Sequence, residues 1–99
     1  MLKEDTTVPG ANTTVTYEVD LSGKQISKVS IIVKADVDLT IDICFGTSTV
    51  KDAWVRSESY KANSDIAYEY DVLAPYLTVK ISTGDVAPSS YIVIITGIP

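Results

Sequence analysis

The clearest regularity in the chain is strict alternation of apolar and polar positions. Val37, Leu39, Ile41, Ile43 and Phe45 interleave with Asp38, Thr40, Asp42 and Cys44, which is the period of a strand with one buried face. The same rhythm runs through Val15, Tyr17, Val19 and Leu21, through Val29, Ile31 and Val33 within 26–35, and through Ile66, Tyr68, Tyr70 and Val72. Leu77, Val79 and Ile81 carry another strand, and residues 54–60 and 91–96 complete the set. Turn residues separate them at Ser22-Gly23-Lys24, Asp36, Gly46-Thr47-Ser48-Thr49, Ala62-Asn63-Ser64-Asp65 and Ala74-Pro75, and proline cannot donate to a ladder. No stretch of ten residues carries a helical period. Short strands at this spacing predict an all-β antiparallel sandwich or barrel.

Two segments depart from the alternation. Residues 1–12 are mostly polar with a break at Pro9-Gly10, and read as an N-terminal arm preceding a sandwich domain over 13–99. The last strand is apolar on both faces, with Tyr91, Val93 and Ile95 on one and Ile92 and Ile94 on the other. Such a strand is covered on both sides, or its second face meets another chain. Ile32 is positioned to enlarge that second face. The expected oligomer interface is therefore Ile32, Ile92 and Ile94, with Leu2 and Val8 of the arm reaching a neighbour.

Composition sharpens the picture. Val, Ile, Thr and Tyr supply 40 of the 99 residues, and these types fit a pleated surface better than a helix. The length suits one domain. There is no histidine, which excludes Ser-His-Asp and Cys-His catalysis and imidazole-ligated zinc. A net charge of −5 argues against nucleic acid and anionic membranes as partners. No apolar stretch of roughly 7–15 residues follows Met1, so no signal peptide is predicted. The one cysteine, Cys44, permits no intrachain disulfide. Synthesis in the cytoplasm is the expectation.

Candidate chemistry is sparse. Asp36, Asp38 and Asp42 are hard ligands, but neighbours on one strand face lie about 7 Å apart and no calcium-binding loop surrounds them; the reading is a solvated face, with no metal. Glu58, Glu69 and Asp71 could form a hydrolase pair, yet an acidic sheet offers such pairs by chance. Cys44 lacks an activating base, and its acidic neighbours should raise its pKa. No cofactor-binding motif is present. Trp54, with Tyr60 or Tyr76, could form an aromatic platform for a sugar, which makes a carbohydrate-binding module the alternative function. Tyr68 and Tyr70 are in phase with Ile66 and Val72 and should face the core.

The stretch Ala67-Tyr68-Glu69-Tyr70-Asp71-Val72-Leu73-Ala74-Pro75-Tyr76-Leu77-Thr78-Val79-Lys80-Ile81, with Val19-Asp20-Leu21-Ser22-Gly23 and the ending Tyr91 to Pro99, resembles small jelly-roll-like virion proteins of tailed phages and archaeal viruses. Where such families carry an Asn-Asp-Gly turn after the third strand, this chain has Gly46-Thr47-Ser48-Thr49. The resemblance implies a single jelly-roll-like sandwich of about seven to eight strands and a capsid-decoration, turret or tail-associated role. It transfers no functional residue. Together these readings predict a non-enzymatic, homo-oligomeric structural subunit, with other virion proteins as further partners and the virion as its final location.

Overall fold

The alternating segments become strands whose odd-numbered side chains turn inward in residues 14–46 and 76–98, and whose even-numbered side chains do so in residues 54–71. A computed structural model describes all 99 residues. It contains β1 (Lys3–Asp5), β2 (Thr14–Asp20), β3 (Lys28–Ala35), β4 (Leu39–Gly46), β5 (Trp54–Tyr60), β6 (Ile66–Asp71), β7 (Tyr76–Thr83) and β8 (Tyr91–Ile98). They form two four-stranded sheets, β1-β8-β3-β6 and β2-β7-β4-β5. Every pairing is antiparallel. This strand order is that of an eight-stranded jelly roll, in which β1, β8, β3 and β6 of one sheet stand opposite β2, β7, β4 and β5 of the other.

The core lies between the sheets. Ile31 and Val33 of β3, Ile41, Ile43 and Phe45 of β4, Val79 and Ile81 of β7, and Val93 and Ile95 of β8 are fully or almost fully buried. Each such side chain contributes about 1.5–3 kcal/mol relative to exposure. Tyr68 and Tyr70 pack against this core as their phase requires. No helix is long and apolar enough to cross a membrane.

Local chemistry ends the strands where the sequence places turns. After β2, the Asp20 carboxylate accepts from the Ser22 amide at 2.9 Å, and Gly23 takes a φ of +75°, which glycine adopts without a Cβ clash. After β3, one Asp36 carboxylate oxygen accepts from the amides of Ser89 and Ser90, tying this turn to the loop before β8. After β4, the chain folds back over itself. A Cβ on Gly46 would lie 2.0 Å from the Val50 carbonyl oxygen, so only glycine admits the close approach of residues 47–53.

The arm differs from its sequence reading. Residues 3–5 are an edge strand paired with Val93–Ile95 of the same chain, and Leu2 packs against the core with its amide donating to the Ile95 carbonyl at 2.7 Å. Leu2 is thus occupied within its own chain, whereas Val8 is 44% exposed. The connection carrying Pro9-Gly10 is anchored at its far end, where the Thr83 hydroxyl donates to the Gly10 carbonyl and accepts from the Thr13 amide.

Candidate functional site

The register of the first sheet assembles the surface that the last strand foreshadows. Ile32 lies directly opposite Ile94 on one side and Ala67 on the other, and Ile92 lies opposite Lys34. These side chains share the outer face, because their odd-numbered neighbours Ile31, Val33, Tyr91, Val93 and Ile95 fill the core. Ile32 is 41% exposed and Ile92 38%. Ile94 is half-buried between Glu4 of β1 and Ile32. Beside this row, a groove of about 220 Å³ is lined by Ile32, Val33, Lys34, Asp65, Ile66 and Ala67. The Lys34 ammonium meets Asp65 at 2.6 Å, so that border carries no net charge. The result is a continuous apolar strip on a face that nothing within the chain covers.

The aromatic platform does not assemble. Trp54 and Tyr60 stand at opposite ends of β5 and both turn inward, paired in register with the buried Phe45 and Leu39. Trp54 packs on Phe45 and Tyr70, with ring centroids 5.8 Å and 5.9 Å away. Tyr60 is 1% exposed, its hydroxyl accepting from the Ala35 amide at 3.1 Å and donating to the Ser64 carbonyl at 2.7 Å. A ring so enclosed presents no face to a ligand. Tyr76 belongs to the other side of that sheet. Its hydroxyl donates to Glu18 at 2.7 Å and the Lys51 ammonium sits 5.5 Å from its ring centre.

The carboxylates are likewise dispersed. Glu58 turns inward at the sandwich edge and accepts from the Tyr70 hydroxyl at 3.0 Å, while Glu69 and Asp71 lie on the outer face of the first sheet. The three do not flank one cleft. Burial first, and the Glu58 hydrogen bond second, push the Tyr70 hydroxyl up to about 12. Asp36 holds the loop at Ser89 and Ser90, Asp38 accepts from the Ala62 amide and Asp42 from the Ser57 hydroxyl. Each thus has its own structural duty at the exposed surface, and no three acidic or thiol groups converge as metal ligands.

Cys44 is 3% exposed although it lies on the outward, polar side of β4. Its position opposite Thr78 in register and the fold-back of the chain after Gly46 account for this. Burial pushes its thiol pKa up; among the charges, Asp42 and Asp52 raise it and Lys80 lowers it. The acidic neighbours expected from sequence are therefore the minor cause. The largest groove, about 360 Å³, opens beside Thr40, Ser59, Ser82 and Thr83, with Asp38 and Lys61.

Two groups of residues escaped sequence reasoning. One is the chain of hydrogen bonds from Tyr91 through Tyr17 to Asp5, which no local pattern announces. The other is Arg56 on the free edge of β5, two residues from Glu58, which the sequence offers only as a hydrolase carboxylate. The only signal for it was that Arg56 is the one arginine of the chain. Comparison with protein-family models, with curated proteins and with solved structures returns no match for this chain.

Proposed function

We propose that this protein is a non-enzymatic structural subunit that self-associates into a larger assembly, of the kind that jelly-roll subunits build in viral capsids and their decorations. The observation that carries the reading is the uncovered strip of Ile92, Ile94, Ile32 and Ala67 on the outer face of the β1-β8-β3-β6 sheet. A contiguous apolar row rimmed by charged residues marks a protein contact more often than a solvent face. The dispersal of Glu58, Glu69 and Asp71 favours this role over hydrolysis. The burial of Tyr60, with Trp54 and Tyr76 on opposite sides of their sheet, counts against the platform on which a sugar-binding role would rest. The jelly roll itself serves many unrelated functions and adds only compatibility.

The test is light scattering behind size exclusion, with native mass spectrometry, on the wild type and Ile94→Asp. Because Ile94 faces outward, its replacement should leave the circular-dichroism spectrum unchanged while lowering the mass of the assembly. An Ile94→Asp chain that keeps both fold and oligomer would overturn the proposal.

A further inference from the structure

We propose that β5 is a self-complementary edge, and that two copies of this chain join β5 to β5 antiparallel about a two-fold axis at Ser57, continuing the β2-β7-β4-β5 sheet from one copy into the other. This builds on the self-association reading but uses a different surface and a different observation.

The argument begins with which backbone groups are free. The Thr83 amide donates to the Thr13 carbonyl, and alternate residues of an antiparallel strand turn their polar groups to opposite sides. Following that alternation through the registers of β7, β4 and β5 turns Trp54, Arg56, Glu58 and Tyr60 toward β4. Val55, Ser57 and Ser59 therefore direct their N–H and C=O groups outward. No loop or side-chain group hydrogen-bonds to them.

Exposed edges are ordinarily blunted by shortness, charge or capping, and β1 and β6 are. β1 has three residues. β2 is capped only at its end, where the Lys24 ammonium meets the Asp20 carbonyl at 2.9 Å, and its charges, Glu18 and Asp20, are both acidic and give no opposite pair about a two-fold axis. β6 displays Glu69 and Asp71, so its two-fold copy would set acid against acid. β5 has seven residues, with no proline, no lysine and an unbroken register with β4, and its two charges, Arg56 and Glu58, are opposite in sign, so a two-fold copy can pair them instead of being repelled by them.

Charge then selects one register. Centred on Ser57, antiparallel pairing puts Arg56 of each copy opposite Glu58 of the other, twice by symmetry, with Val55 opposite Ser59 and Trp54 opposite Tyr60. Slipping two residues one way sets Arg56 against Arg56, and slipping the other way sets Glu58 against Glu58. Opposite charges across a pair stabilise it and like charges destabilise it. Arg56 is exposed and takes part in no ion pair within the chain. Glu58 uses one carboxylate oxygen for Tyr70 and leaves the second for a partner. An isologous two-fold contact requires such self-complementarity.

The test uses native mass spectrometry and light scattering in the Ile94→Asp chain, so that the outer-face contact cannot contribute. That chain should dimerise. Adding Arg56→Glu should weaken the dimer about tenfold or more, as should adding Glu58→Arg. An equimolar mixture of those two variants should form a heterodimer that neither makes alone, since every pair is then opposite in charge. A monomeric Ile94→Asp chain, or a dimer indifferent to both charge reversals, would overturn β5 pairing while leaving the outer-face reading intact. An Ile94→Asp oligomer of unchanged mass that responds to both reversals would do the opposite.

Discussion

The hydroxyls of Tyr17 and Tyr91 lie 2.6 Å apart between the two sheets. The Tyr17 hydroxyl also reaches an Asp5 carboxylate oxygen at 2.7 Å. A carboxylate only accepts, so the single Tyr17 proton goes to Asp5 and Tyr91 donates to Tyr17. The directed chain Tyr91 to Tyr17 to Asp5 joins β8, β2 and β1, and it fastens the first strand of one sheet to the first strand of the other.

Removing the middle of this chain should cost more than removing its end. Tyr17→Phe leaves the Tyr91 hydroxyl stranded and is expected to destabilise by about 1–3 kcal/mol, whereas Tyr91→Phe should cost about 1 kcal/mol. The double variant should lose less than the sum, because the stranded donor is gone. Urea midpoints of the three proteins check this.

The same substitution should have the opposite effect elsewhere. The hydroxyls of Tyr68 and Thr78 are buried without a hydrogen-bond partner. Tyr68→Phe and Thr78→Val remove groups that folding dehydrates without compensation, so both are expected to be neutral or to stabilise by about 1 kcal/mol. Thermal midpoints compared with Tyr17→Phe give the contrast in sign.

Gly46→Ala should open the cover over Cys44. Its methyl would meet the Val50 carbonyl, and relief of that overlap requires residues 47–53 to lift, at about 1–3 kcal/mol. Labelling of Cys44 by a thiol reagent should accelerate at least severalfold under native conditions. Gly84→Ala, where nothing lies within 4 Å of the added carbon, should leave the rate unchanged.

Stability should fall on both sides of neutrality. Asp5, held by Tyr17, Glu18 by Tyr76, Asp20 by the Ser22 amide and Asp36 by the Ser90 amide all have folded pKa values below their ordinary 3.8–4.5. Their contribution is present above those ordinary values and disappears as pH falls through the folded ones. Tyr17, Tyr68, Tyr70 and Tyr91 are raised above 10.0, chiefly by burial, and Tyr76 chiefly by its bond to Glu18. Their contribution is complete below pH 10.0 and is lost as pH rises through the folded values, near 12 for Tyr70. Urea unfolding from pH 2 to 12 should therefore give a plateau between about pH 5 and 9 with losses at either end.

Alternation made the two-sheet core readable wherever burial is one-sided. Leu39, Ile41, Ile43 and Phe45 fall on the inner face as their spacing predicts, and the apolar second face of β8 led to its neighbour Ile32. The side of Trp54, Arg56, Glu58 and Tyr60 was not readable, because an edge strand lets charged tips of inward residues escape to solvent. β1 was missed for another reason. Lys3-Glu4-Asp5 carries no apolar phase, and its place depends on Val93–Ile95 and on Tyr17, far away in the chain. Cys44 and Thr78 sit on a face that reads as polar and are buried only because the chain doubles back over Gly46.

The placement of β7 and β8 inside their sheets governs how this chain can be made. Growing from its N-terminus, it can pair β3 with β6 and β4 with β5 early, but β1 and β2 have no neighbour until residues 76–98 arrive. Closing such distant pairings is entropically slow, on the order of milliseconds to seconds for sandwiches of this kind. Until then the unpaired sides of β3 and β4 remain open to other nascent chains. The fold thus closes with the insertion of a central strand into each layer, and a chain halted before β8 should be captured by chaperones and not accumulate as a smaller domain.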